Sequence, residues 1–163
     1  MLSISRWIAV LFLVCPVELF AFQQMLPDFS LKDPANKTFT KKDVLAEGAV
    51  FVVTAPIMRN QKAQEGWEKY LSGKKSGKGK LILLEDMSPS MFKKTALKRM
   101  KEEYEPGKEP ILLIDPKGQL REKLGVKKKE TVVLVYNKDG KLVFNTTEKP
   151  SAKGADKIWG SIK

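Results

Sequence analysis

Residues 49–53, Ala-Val-Phe-Val-Val, constrain the fold more than any other stretch of the chain. They are apolar and mostly β-branched, too few to cross a membrane, and have the composition of a strand buried on both faces. Thr54-Ala55-Pro56 follows as a turn, and Ala63, Trp67, Tyr70 and Leu71 then recur at helical spacing. A strand, turn and helix joined this closely gather ligands at the carboxyl end of the strand, against the helix N-terminus. No side chain with obvious catalytic chemistry stands at that end.

Residues 1–21 have the pattern of a secretory signal peptide. Arg6 supplies the positive start, residues 8–14 the apolar centre, and Ala21 a small residue at the cut. Glu18 and Leu19 depart from the pattern. The alternative is an uncleaved anchor, but Pro16 and Glu18 break the run short of a span. Cys15 suggests a lipoprotein, yet Val14 precedes it where a small residue is wanted. The expectation is export, periplasmic or secreted, with residues 22–163 forming one domain.

Cys15 is the single cysteine, and the chain has no histidine. Residues 22–163 therefore hold no disulfide, thiolate nucleophile, Cys/His zinc site or imidazole base. Carboxylate, lysine, tyrosine, hydroxyl and backbone chemistry remain, and neither a cofactor nor a metal site is expected. The net charge of +11 suits acidic proteins, anionic small ligands or an anionic membrane surface. Export makes nucleic acid the least natural partner, and a solvated lysine surface is the plainest account of the charge. Nothing in the pattern specifies an oligomeric state.

Along the chain, residues 27–33 read as an extended segment with Phe29 and Leu31 on one face. Asn36-Lys37 makes a turn, and Thr40 caps a brief helix with Asp43 three residues on. Residues 72–80, SGKKSGKGK, form a connector without phosphate-loop spacing. Residues 81–84 are a second buried strand. Ser88-Pro89 is expected to start a helix whose apolar stripe is Phe92, Ala96, Met100 and Tyr104. Residues 111–114 form a third strand, a short helix covers 119–124, and residues 131–136 form a fourth strand. Asn137-Lys138-Asp139-Gly140 turns a hairpin into residues 141–145. A helix over 152–162 carries Ile158, Trp159 and Ile162. Trp67, Trp159 and Tyr104 are assigned to the core. The pattern gives an α/β sandwich with a mixed sheet.

Several of these segments resemble the redoxin branch of the thioredoxin fold. They are Pro27-Asp28-Phe29-Ser30-Leu31, the apolar strand, Asp115-Pro116-Lys117-Gly118 with Leu124-Gly125-Val126, and Val135-Tyr136-Asn137-Lys138-Asp139-Gly140-Lys141-Leu142-Val143. That branch includes peroxiredoxins and periplasmic thiol-disulfide oxidoreductases. The resemblance implies a three-layer sandwich, with helices on both faces of a mixed sheet and a C-terminal hairpin plus helix. It also implies redox positions, and these have lost their chemistry. Anchored on Pro56, the peroxidatic threonine and cysteine places are held by Asn60 and Ala63. The Cys-x-x-Cys places fall at Met58 and Gln61. The residue opposite them, a cis-proline or an arginine in the family, falls at about Thr131.

Without thiols there is no redox couple, so binding is the expected mode of action. Arg59, Asn60 and Lys62 lie in the first turn of the central helix, where free N–H groups favour negative charge. Lys127, Lys128 and Lys129 precede Thr131, and the resemblance implies that their loop faces the same helix end. The candidate ligand-binding set is thus Arg59, Asn60, Lys62, Lys128 and Thr131, for an anionic ligand or an acidic partner. The alternative is that the cations are solvated and point apart. Met87, Met91 and Met58 raise Cu(I), against packing of Met87 and Met91 around a helix cap. Glu85-Asp86 and Asp115 end adjacent strands and raise a carboxylate cluster, against ordinary turn formation. The acidic run Glu102, Glu103, Glu105 and Glu109 reads as an exposed helix end. The alternative of a different class is a redoxin-family oxidoreductase or peroxidase acting with a partner.

Overall fold

The computed structural model describes residues 22–73 and 79–162, apart from the side chains of Met58 and Arg59. The leader reading of residues 1–21, Cys15 included, and residues 74–78 of the connector lie outside the described residues.

Ala49–Thr54 forms β3, and every residue of it is buried. It runs parallel to β4 (Lys80–Asp86) on one side and antiparallel to β6 (Val132–Tyr136) on the other. A strand flanked in this way meets a helical layer on both faces, which is why its sequence is a continuous apolar run rather than an alternation. Ala49, Phe51 and Val53 point into one core, with Ile82, Leu84, Leu134 and Tyr136. Val50 and Val52 point into the other, against Trp67 and Leu71 of α2 (Met58–Gly73) and Ile158 and Trp159 of α5 (Ala152–Ser161).

The first core is closed by Val44 and Leu45 of α1 (Lys41–Leu45) and Leu120 of α4 (Gln119–Lys123). Helices therefore cover both faces, as expected for a three-layer sandwich. Among the described residues the sheet has seven strands, in the order β2 (Thr38–Thr40), β1 (Ser30–Lys32), β5 (Ile111–Asp115), β4, β3, β6 and β7 (Leu142–Thr146). β1 and β2 form an edge hairpin beside β5, and β7 is the opposite edge. The β2 strand is one that the periodicity did not anticipate. Thr40 and Asp43 join as the capping pattern predicts, Thr40 N–H donating to Asp43 Oδ2 at 2.7 Å. The β6–β7 turn closes on Asn137, whose side chain accepts from the N–H groups of Asp139 and Lys141.

One helix departs from expectation. α3 covers Lys93–Glu103 rather than starting at Ser88-Pro89. Asp86 Oδ1 accepts from Ser88 N–H at 2.8 Å, and Ser90 N–H donates to the Met87 carbonyl, so residues 86–90 close a turn of their own. The expected stripe loses its first member, since Phe92 is 75% exposed. Ala96, Met100 and Tyr104 are half-buried, and α3 has no fully buried residue. Met87 is core while Met91 is 91% exposed, so the two do not pack together around a cap. Trp67 and Trp159 are core as expected; Tyr104 is half-buried and donates its hydroxyl to Asp33 Oδ2 at 3.0 Å.

The α2–α5 contact depends on a missing side chain. A Cβ on Gly154 would lie 2.8 Å from Cη2 of Trp67, whose side chain is buried in the core. Gly154→Ala is expected to lower stability by about 1 kcal/mol, because overpacking outweighs the helix propensity that alanine adds. Thermal unfolding should show the midpoint falling by about 3 °C; a rise would mean that the two helices slide apart freely.

Candidate functional site

The carboxyl end of β3 leads through Thr54, Ala55 and Pro56 into α2. Ile57 N–H donates to the Ala55 carbonyl at 2.7 Å, which makes the turn tight. The loop before β6 closes on the same place. Thr131 and Thr54 share a hydroxyl–hydroxyl hydrogen bond of 3.3 Å, so Pro56 and Thr131 lie at one end of the sheet. Asn60 is buried and donates Nδ2–H to the Lys129 carbonyl at 3.1 Å. Lys129 itself has a φ of 66°, in the left-handed region that non-glycine residues rarely adopt.

Of the residues singled out in the sequence, the structure brings together Asn60, Lys129 and Thr131. Lys62 and Lys128 are exposed, Gln61 is exposed and Ala63 half-buried. Met58 and Arg59 begin α2, and what was read for their side chains lies outside the described residues.

A second feature borders this end. A groove of about 580 Å³ runs between α2 and α3 over β4 and β5. Pro56, Ile57 and Gln61 form its near end, and Leu83, Leu112, Ala96 and Met100 its apolar wall. Glu65, Glu68, Glu85, Glu103, Glu105 and Glu109 line it as well, with Arg99 and Lys108 as its basic members among the described residues. Lys62, Lys128 and Thr131 do not line it.

Glu85 is the floor. It closes an apolar strand opposite Thr54 and is 2% exposed. Gln64 Nε2–H donates to its Oε1, while its Oε2 has no hydrogen-bond partner among the described residues. Burial pushes the Glu85 carboxyl up to about 7, with Asp86 adding to the shift and Gln64 opposing it. Glu68 is also raised, by burial first and then by Glu65.

The groove was not assembled from the sequence, although Glu85 carried a signal there. A carboxylate inside Leu-Ile-Leu-Leu-Glu-Asp must be desolvated if the strand is central. Glu102 and Glu103 are the exposed end of α3 as expected, whereas Glu105 and Glu109 lie beyond it; Glu103, Glu105 and Glu109 line the far bank of the groove. Asp86 and Asp115 have structural uses. Asp115 accepts from the N–H groups of Gln119 and Arg121 at the start of α4, and Asp86 pairs with Arg121 at 3.0 Å.

No protein-family model matches the chain, and no curated protein sequence does either. Solved structures do. The exposed lipoprotein thioredoxin of Streptococcus pneumoniae superposes with a TM-score of 0.62 at 18% identity, covering 83% of this chain and all (100%) of its own. A DsbF homologue from Corynebacterium diphtheriae gives 0.65 at 13% identity, covering 91% of this chain and 96% of its own. An uncharacterized conserved protein of Geobacillus kaustophilus gives 0.69 at 12% identity, covering 89% and 85%.

The fold is thioredoxin-like.

In this thioredoxin-like chain the end of β3 and start of α2 carry Met58 and Gln61, and the chain's one cysteine is Cys15. Among the described residues no helix is long and apolar enough to cross a membrane.

Proposed function

We propose that this chain is an exported, non-catalytic thioredoxin-like module that binds an anionic small ligand or an acidic protein segment where α2 begins. The observation that carries this reading is the Asn60–Lys129 hydrogen bond, which fastens the lysine-bearing loop against the first turn of the helix. Backbone N–H groups of a helix start and cations from a second loop favour the same negative charge. The absence of any cysteine beyond Cys15 argues for binding over thiol exchange. Export is supported by the leader pattern of residues 1–21 and by the description of the Streptococcus relative as an exposed lipoprotein.

Titration with inorganic phosphate, followed by amide NMR, is expected to shift Asn60, Lys128 and Thr131, and to do so less in Asn60→Ala. Still amides at all three positions would remove the reading. Insulin reduction by the protein is expected to stay at the uncatalysed rate. Turnover would instead favour a redoxin-type oxidoreductase that draws its reactive group from elsewhere.

A further inference from the structure

A protein of net charge +11 places a buried glutamate, Glu85, at the floor of a groove in which, among the described residues, glutamates outnumber cations. Those cations are already engaged. Arg99 pairs with Glu103 at 3.7 Å along α3, and Lys108 pairs with Glu105. Glu65 and Glu68 remain on the α2 bank, and Glu85 lies below them with Oε2 unpartnered among the described residues. A buried carboxylate oxygen with no donor is costly, and native structures rarely leave one so. The walls beside it are aliphatic: Leu83, Leu112, Met100, Ile57 and Pro110. The carboxylates do not converge as a metal-ligating group among the described residues. The lining therefore suits a cation that carries its own hydrogen-bond donors on a hydrocarbon chain.

We infer that the groove is a binding site for an alkylammonium group, with the ammonium donating to Glu85 Oε2, the chain lying along Leu83, Leu112 and Met100, and a second ammonium reaching Glu65 and Glu68. This reading is independent of the anion proposal, because none of Lys62, Lys128 and Thr131 touches the groove. Free aliphatic diamines and lysine side chains share the chemistry. The proton on Glu85 must leave when the ammonium arrives. Gln64 and Asp86 act on that carboxyl directly, and the titratable groups that share the groove with it are Glu65 and Glu68 from α2, Arg99 and Glu103 from α3, and Tyr104, Glu105, Lys108 and Glu109 from the connection to β5.

The test is calorimetric titration of the protein with 1,5-diaminopentane and, separately, with Nα-acetyl-lysine amide, using 1,5-pentanediol as the uncharged control. Saturable binding of either amine, absent for the diol, is expected, and the stronger of the two identifies the source. Affinity should tighten several-fold from pH 6 to pH 8, with proton release visible as a buffer-dependent heat at the lower pH. Glu85→Gln should weaken binding at least tenfold, while Glu65→Gln/Glu68→Gln, on the α2 bank, should weaken the diamine more than the lysine derivative. The double variant on α2 keeps the test decisive if Glu85→Gln fails to fold. Binding of the diol as tight as the diamine, equal amine affinity in all variants, or no saturable heat with either amine would overturn the inference.

Discussion

Arg121→Met is expected to destabilise the protein by about 3–5 kcal/mol, the loss typical of removing one partner from a buried ion pair. Asp86 is 1% exposed at the end of β4, and its Oδ2 lies 3.0 Å from Nε of Arg121. The same guanidinium donates to the Val126 carbonyl at 2.6 Å, so it ties α4 both to the sheet and to the segment that follows. Methionine preserves the aliphatic stem and removes both interactions. Asp86 would then keep only the Ser88 N–H, an uncompensated charge in a site closed to water. Adding Asp86→Asn should restore about 2 kcal/mol or more, because a neutral amide carries no charge to strand and its oxygen still accepts from Ser88. Chemical denaturation of the single and double variants measures both numbers. A single variant within about 0.5 kcal/mol of the parent, the range of ordinary surface changes, would mean that Asp86 is solvated in the folded protein.

Glu85→Gln is expected to act in the opposite direction, with an effect that begins above about pH 4.5 and is complete above about pH 7. The ordinary value for this carboxyl is 4.5 and the folded value about 7. Below the lower value the group is protonated in both states and contributes no pH dependence. Between the two, the unfolded chain has released its proton and the folded chain holds it, so stability falls as pH rises. Above the upper value the loss is complete, and the gap corresponds to about 3 kcal/mol. Glutamine has nothing to ionise and keeps the shape. The variant should therefore match the parent near pH 4 and exceed it by up to about 3 kcal/mol near pH 8. Denaturant unfolding across that range gives the difference curve directly; a flat difference would show that Glu85 is ionised in the folded state at no penalty. Retaining a carboxylate that lowers stability at neutral pH fits a residue kept for binding rather than for folding.

Most of the fold was legible because its signals are local. The run at Ala49–Thr54, the Thr40–Asp43 cap and the Asn137 turn each depend on residues within a few positions, where periodicity and turn chemistry operate. The start of α3 was misread because Ser88 and Pro89 have the composition of a helix start. What moved the start to Lys93 is a carboxylate two residues back, Asp86, which captures the Ser88 N–H. Its stripe was misread for a related reason: helical spacing shows which residues share a face, but not whether a partner surface covers that face.

The residues alone determined the sandwich class, the buried central strand and the absence of thiol and imidazole chemistry beyond Cys15. Tertiary structure alone decided that Glu85 faces Gln64 across 21 positions, that Asn60 holds the Lys129 carbonyl across 69, and that glutamates from both helices share one groove. Strand and helix formation follow from short-range sterics and hydrophobic periodicity, which a linear string carries. Desolvation of a carboxylate depends on which distant elements displace its water, and that is settled only when the layers close.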